Sequence, residues 1–172
     1  MMRRVGVLVA GFCAVLAMTS PSATAAESEP DDMVTVAGWG KIYEWSPGHA
    51  SGKRLDYAVK AQAVDIWNDN NKSNQRWQTY SYGNNWYAFR NMSNMECLRY
   101  EGRGKQMTTI PCDDSNSYKF KGVKSGGYWT FRPMNAQNLC MEVRSRGTSN
   151  GSHVTAWNCN GDSHQRWKAT AV

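Results

Sequence analysis

Short apolar and aromatic runs alternate along the chain with clusters of Asn, Gly and Ser. Tyr43-Glu44-Trp45, Tyr87-Ala88-Phe89-Arg90 and Trp129-Thr130-Phe131-Arg132 place large rings next to polar residues in the period of a half-buried strand. No helical period is sustained past about two turns. The pattern predicts an all-β chain of many short strands joined by turns.

The N-terminus follows a different pattern. Arg3 and Arg4 form a positive start, Val5 to Met18 an apolar stretch, and Ala23-Thr24-Ala25 a small-x-small cleavage site. Residues 1–25 are therefore expected to be a removable signal peptide, and the remainder a secreted, extracellular protein. The apolar stretch is too short to span a bilayer comfortably and no later segment competes with it, so no membrane insertion is expected. Cys13 follows a bulky Phe12, which argues against a lipid-modified cysteine. Removing the segment leaves Cys97, Cys112, Cys140 and Cys159. An even set in an exported chain implies two disulfides, with three connectivities open.

Internal similarity organises the rest. Gln75-Arg76-Trp77 recurs as Gln165-Arg166-Trp167, with Tyr118-Lys119-Phe120 between them. Six residues before Gln75, Tyr118 and Gln165 stand Asp69, Cys112 and Cys159, and two before those stand Trp67, Ile110 and Trp157. Further upstream come Arg54-Leu55-Asp56, Cys97-Leu98-Arg99 and Cys140-Met141-Glu142. The last unit is lengthened by a Gly/Ser-rich insert at 145–152. A fixed period of this size marks a repeat architecture. Three units are too few for a β-propeller, and helical solenoids need helices that are missing here. Three four-stranded units closing on one another would bury a shared core and leave no sheet edge.

Three Gln-x-Trp-type repeats, each preceded by Cys-Leu-Asp-like and Trp-x-Cys-like elements, resemble the ricin-type β-trefoil lectin family. The resemblance runs from Tyr43 to Trp167. It implies a β-trefoil at 43–172, with repeats near 43–85, 86–127 and 128–172, behind an acidic leader and strand approach at 26–42. It also implies a carbohydrate-binding module with one candidate pocket per repeat. Because the cysteines occupy equivalent positions of two repeats, the pairs expected are Cys97–Cys112 and Cys140–Cys159.

The rings Trp77, Phe120 and Trp167 read as core, since a large ring at one place in each unit is what a threefold core requires. Sugar recognition needs other groups. A carboxylate accepts two vicinal hydroxyls, an aromatic face covers a patch of C–H groups, and an amide both donates and accepts. The family's sugar contacts fall in repeat 1 on Asp56, Trp67 and Asn74, with Asp65 as a second polar contact and Gln75 beside them. Gln75 and Gln165 are expected mainly to tie down loop backbone. Repeat 2 offers Arg99, Ile110 and Ser117 at these places and is expected to be inactive. Repeat 3 offers Glu142, Trp157, His164 and Gln165 as a second carbohydrate site, with the longer Glu in doubt against Asp.

Composition and charge narrow the alternatives. Eight tryptophans, 12% aromatics and 41% hydrophobic residues exclude a disordered chain. His49, His153 and His164 lack metal-ligand spacing and no nucleophile motif is present, so no metal, cofactor or enzymatic activity is expected. Three Asn-x-Ser tripeptides, at Asn71, Asn91 and Asn150, match by chance often enough to carry no role. Past the acidic Glu27, Glu29, Asp31 and Asp32 there are 18 basic against 10 acidic residues. That surplus attracts anionic polymers. The leading expectation is a non-enzymatic lectin for galactose-like glycan sugars, acting on glycoconjugates mainly through repeat 1. A trefoil interaction or inhibitor module with vestigial pockets, and a basic polyanion binder, remain the alternatives. Nucleic acid is not the expected partner.

Overall fold

The alternating aromatic runs form strands in the computed structural model, which describes residues 38–113 and 115–172. The expected signal segment, Cys13 and the leader up to residue 37 lie outside the described residues. The first repeat contains β1 (Gly38–Pro47), β2 (Lys53–Ala58), β3 (Ala63–Asn68) and β4 (Trp77–Gly83). The second contains β5 (Trp86–Asn91), β6 (Cys97–Arg99), β7 (Thr108–Ile110) and β8 (Phe120–Ser125). The third contains β9 (Tyr128–Pro133), β10 (Leu139–Val143), β11 (Ser152–Asn158) and β12 (Trp167–Ala171). Strand β1 begins at Gly38 rather than at the expected Tyr43, because a bulge between Trp39 and Ile42 lets the strand continue along β4. Among the described residues no helix is long and apolar enough to cross a membrane.

The outer strands of the three repeats pair in a closed ring. β1 lies between β12 and β4, β5 between β4 and β8, and β9 between β8 and β12. Closure removes the exposed edges that an open sheet would carry. Inside the ring Trp45, Phe89 and Phe131, one from each repeat, meet edge to face with centroids 4.8–5.6 Å apart. Trp77, Phe120 and Trp167 are fully buried beside them, as core. This is a β-trefoil.

The inner strands form three hairpins that cap one end of the barrel in the same register. Arg54, Cys97 and Cys140 stand opposite Trp67, Ile110 and Trp157, and Asp56, Arg99 and Glu142 stand opposite Asp65, Thr108 and Thr155. Val64, Met107 and Val154, at one position in the three hairpins, are all fully buried. Their backbones link the hairpins, with the Val64 N–H donating to Met107 and the Met107 N–H to Val154. Cys97–Cys112 and Cys140–Cys159 are disulfide-bonded, each within its repeat, and repeat 1 instead joins Arg54 Nη2 to Asp69 Oδ2 at 2.9 Å.

Candidate functional site

Each repeat ends its hairpin in a loop that leads through one turn of 3-10 helix into the next barrel strand: Ser73–Gln75, Asn116–Tyr118 and Ser163–Gln165. The buried glutamines explain why the sequence folds this way. Gln75 Oε1 accepts the Asn70 N–H and Gln165 Oε1 the Asn160 N–H, so each amide clamps its own loop. The indoles of Trp77 and Trp167 donate to the backbone oxygens of Leu55 and Met141, fixing the turn against the hairpin. Phe120 has no such donor, and in repeat 2 the buried Tyr118 replaces the glutamine.

The clamp also sets the carboxylates. Gln75 Nε2 donates to Asp56 Oδ2 at 2.8 Å, and Asn74 Nδ2 donates to the same oxygen at 2.9 Å. Gln75 is fully buried, so it does not reach the cavity as a contact; it positions Asp56. Asp56 faces a cavity of about 610 Å³ that is also lined by Asp65, Trp67, Asn74, Lys60 and Lys72. Asp65, opposite Asp56 in the hairpin, has its Oδ1 buried and unpartnered. Burial and the neighbouring Asp56 charge push its carboxyl up to about 7. Burial also raises Asp56, against the amide hydrogen bonds that hold it down. Trp67 is 42% exposed, far more than the core rings.

Repeat 3 builds the same constellation with different residues. Gln165 Nε2 donates to Glu142 Oε2 at 2.9 Å, and His164 Nε2 lies 3.2 Å from that oxygen, where Asn74 stands in repeat 1. The extra methylene of Glu142 is therefore accommodated, and the carboxylate is anchored as Asp56 is. Gln165, like Gln75, is a buried positioning group. Glu142, His164 and Trp157 line a cavity of about 500 Å³ together with Arg144, Arg146 and Thr155. In repeat 2 the Arg99 guanidinium lies 3.4 Å from Glu101, and Ser117 Oγ is hydrogen-bonded to Ser115. No carboxylate, ring or amide faces outward at these three positions.

Both exposed rings rest on a neighbouring repeat, which the linear motifs did not signal. The Gly104 N–H donates to Ala156, and a Cβ on Gly104, at φ +70°, would stand 2.9 Å from the Trp157 ring. Gly151 stands at the matching place beside Trp67, its N–H donating to Ile66, but less tightly, since a Cβ there would lie 3.9 Å from the ring. Both glycines lie three residues before the buried Met107 or Val154, whereas repeat 1 has Ala61 three before Val64. Aligning those apolar positions would have exposed the glycines in the sequence. A carboxylate with one oxygen anchored and one outside that network, beside an exposed ring, can accept hydroxyls while stacking on C–H groups.

The model of the ricin-type beta-trefoil lectin domain matches residues 85–172. The chain belongs to this family. The match covers repeats 2 and 3, and the register of the hairpins extends the same construction to repeat 1. A comparison with curated protein sequences finds no significant match. Solved structures that resemble the lectin chain share its fold at low identity. The designed threefold-symmetric protein ThreeFoil has a TM-score of 0.72 at 18% identity, covering 76% of this chain and 99% of its own. The Macrolepiota procera ricin B-like lectin, solved in complex with lactose, has a TM-score of 0.67 at 16% identity, over 78% of this chain and 98% of its own. The exo-beta-1,3-galactanase 1,3Gal43A of Clostridium thermocellum has a TM-score of 0.71 at 20% identity, over 77% of this chain. The lectin chain spans only 30% of that galactanase, so the trefoil also occurs attached to enzymes.

Proposed function

We propose that this lectin binds galactose-like sugars of glycan chains, without catalysis of its own, and that repeat 1 carries the main pocket. Asp56 accepts the vicinal hydroxyls, Trp67 stacks on the C–H face, Asn74 completes the polar contacts and Asp65 adds a second carboxyl. Gln75 serves by holding Asp56. The observation that carries this reading is that one arrangement occurs twice: a buried glutamine donates to a carboxylate, a second side-chain nitrogen lies within 3.2 Å of the same oxygen, and an exposed tryptophan stands beside it in repeats 1 and 3. A buried core needs no such exposed ring. The lactose complex of the Macrolepiota lectin supports a galactose-containing ligand by analogy of fold. The protein acts outside the cell, after removal of residues 1–25.

Calorimetric titration of the mature chain with galactose and lactose tests the reading. Asp56→Asn keeps the shape and loses the charge, and is expected to weaken binding about ten- to hundredfold, the cost of a charge-assisted hydrogen bond. Arg99→Ala in repeat 2 is expected to leave it unchanged. Undiminished binding by Asp56→Asn would move the main pocket out of repeat 1.

A further inference from the structure

The two cavities share a framework and differ in charge. Opposite its anchored carboxylate, repeat 1 carries Asp65, and two residues after that carboxylate it carries Ala58. At the matching places repeat 3 carries Thr155 and Arg144. One acid is removed and one base is added. Lys60 and Lys72 reach the repeat 1 cavity, but there they face two carboxyl groups. In repeat 3 the one buried carboxylate, Glu142, is already engaged by Gln165 and His164.

The rim of the repeat 3 cavity is rich in guanidinium groups. Arg146 pairs with Asp162, and the Arg103 guanidinium lies 4.2 Å from the centre of the Trp157 ring. Arg144 is exposed and lines the cavity, and its guanidinium has no hydrogen bond or ion pair among the described residues. A free guanidinium at the edge of a sugar-sized cavity offers paired donors to a planar carboxylate or a sulfate. Two further groups point to a ligand within. Thr155 Oγ1 and His164 Nδ1 are buried without a partner, and both residues line this cavity. Buried polar atoms in folded proteins are nearly always satisfied, and neither of these has a protein partner behind the cavity wall.

We propose that the repeat 3 pocket takes a sugar bearing an anionic substituent, a carboxylate or a sulfate, whose ring stacks on Trp157, whose hydroxyls meet Glu142 and whose charge meets Arg144. This rests on reading the two cavities as sugar pockets, and it assigns them different ligands.

The test uses the mature chain carrying Trp67→Ala, so that repeat 3 is observed alone. It is titrated with galactose, galacturonic acid and galactose 6-sulfate, the last two separating carboxylate from sulfate as the source of charge. The expected result is that at least one acidic sugar binds about tenfold tighter than galactose, an advantage that shrinks with added salt. Adding Arg144→Gln is expected to bring the ratio of acidic to neutral affinity close to one. The inference is overturned if the ratio is one before Arg144 is changed, or if it survives Arg144→Gln. It is also overturned if the Trp67→Ala chain binds none of the three sugars while the parent binds galactose, an outcome that leaves the repeat 1 lectin reading standing. If the parent itself binds none of them, both readings fall.

Discussion

Asp65 illustrates how a single residue can carry a cost that its motif position conceals. Its carboxyl lies next to Asp56 with one oxygen buried and unpartnered, and its pKa is raised from 3.8 to about 7. Between those values the folded chain keeps a proton that the unfolded chain releases. Stability contributed by this group is therefore fully present below 3.8, lost as pH rises from there to about 7, and constant above it. Asp65→Asn keeps the shape and cannot ionise. It is expected to raise the melting temperature relative to the parent at pH 8, with little difference at pH 4, as read by thermal denaturation across pH. A parent that gains stability from pH 4 to 7 through Asp65 would contradict the assignment. The family resemblance marked Asp56, Asp65, Trp67 and Asn74 as one site, by matching them to the positions of the family's sugar contacts. It could not reveal that Gln75 and Gln165 hold the carboxylates from beneath, that Glu142 fits, or that Arg144 stands unpaired. Those depend on side-chain packing, which has no linear signature.

At the level of the hairpin, two solutions to one closure problem stand at the same position of the three repeats. Repeats 2 and 3 close it with Cys97–Cys112 and Cys140–Cys159. Repeat 1 uses Arg54, which pairs with Asp69 and also donates to Glu44 at 3.2 Å and to Ser46 at 2.9 Å. The Arg54–Asp69 pair was legible from charge alone, since opposite signs replaced the two cysteines. The ties to β1 were not, because Glu44 and Ser46 lie outside the repeated motif. A double-mutant cycle with Arg54→Ala and Asp69→Ala is expected to give a coupling of about 1 kcal/mol, the upper end of the range for surface pairs, because Arg54 is largely shielded while Asp69 is not, measured by urea denaturation. Arg54→Ala alone should cost more than that coupling, because the half-buried guanidinium also serves Glu44 and Ser46. Additive effects would show that Asp69 contributes nothing to closing the loop. The start of β1 at Gly38 was illegible for a similar reason: the bulge that extends it depends on β4, distant in sequence.

On the scale of the whole molecule, closure joins the repeats into one unit of stability. The six-stranded ring takes two strands from each repeat, and the rings of Trp45, Phe89 and Phe131 meet at its centre, so the main core belongs to no single repeat. The threefold arrangement was legible because a shared core demands the same apolar residues at the same interval, and that demand is written into the sequence three times. This unity gives the disulfides an effect beyond their own repeats. They close loops of 15 and 19 residues. In the chain-entropy model each adds about 3 kcal/mol by restricting the unfolded chain. Removing both by Cys→Ala substitution is expected to lower the melting temperature by on the order of 20 °C, taking roughly 3 °C per kcal/mol for a domain of this size. The transition should stay single, with tryptophan fluorescence and far-ultraviolet circular dichroism coinciding, because repeat 1 cannot survive the loss of the strands that flank it. A second transition retaining the repeat 1 signal would show that β1–β4 holds together without the other two repeats, contrary to the closed barrel.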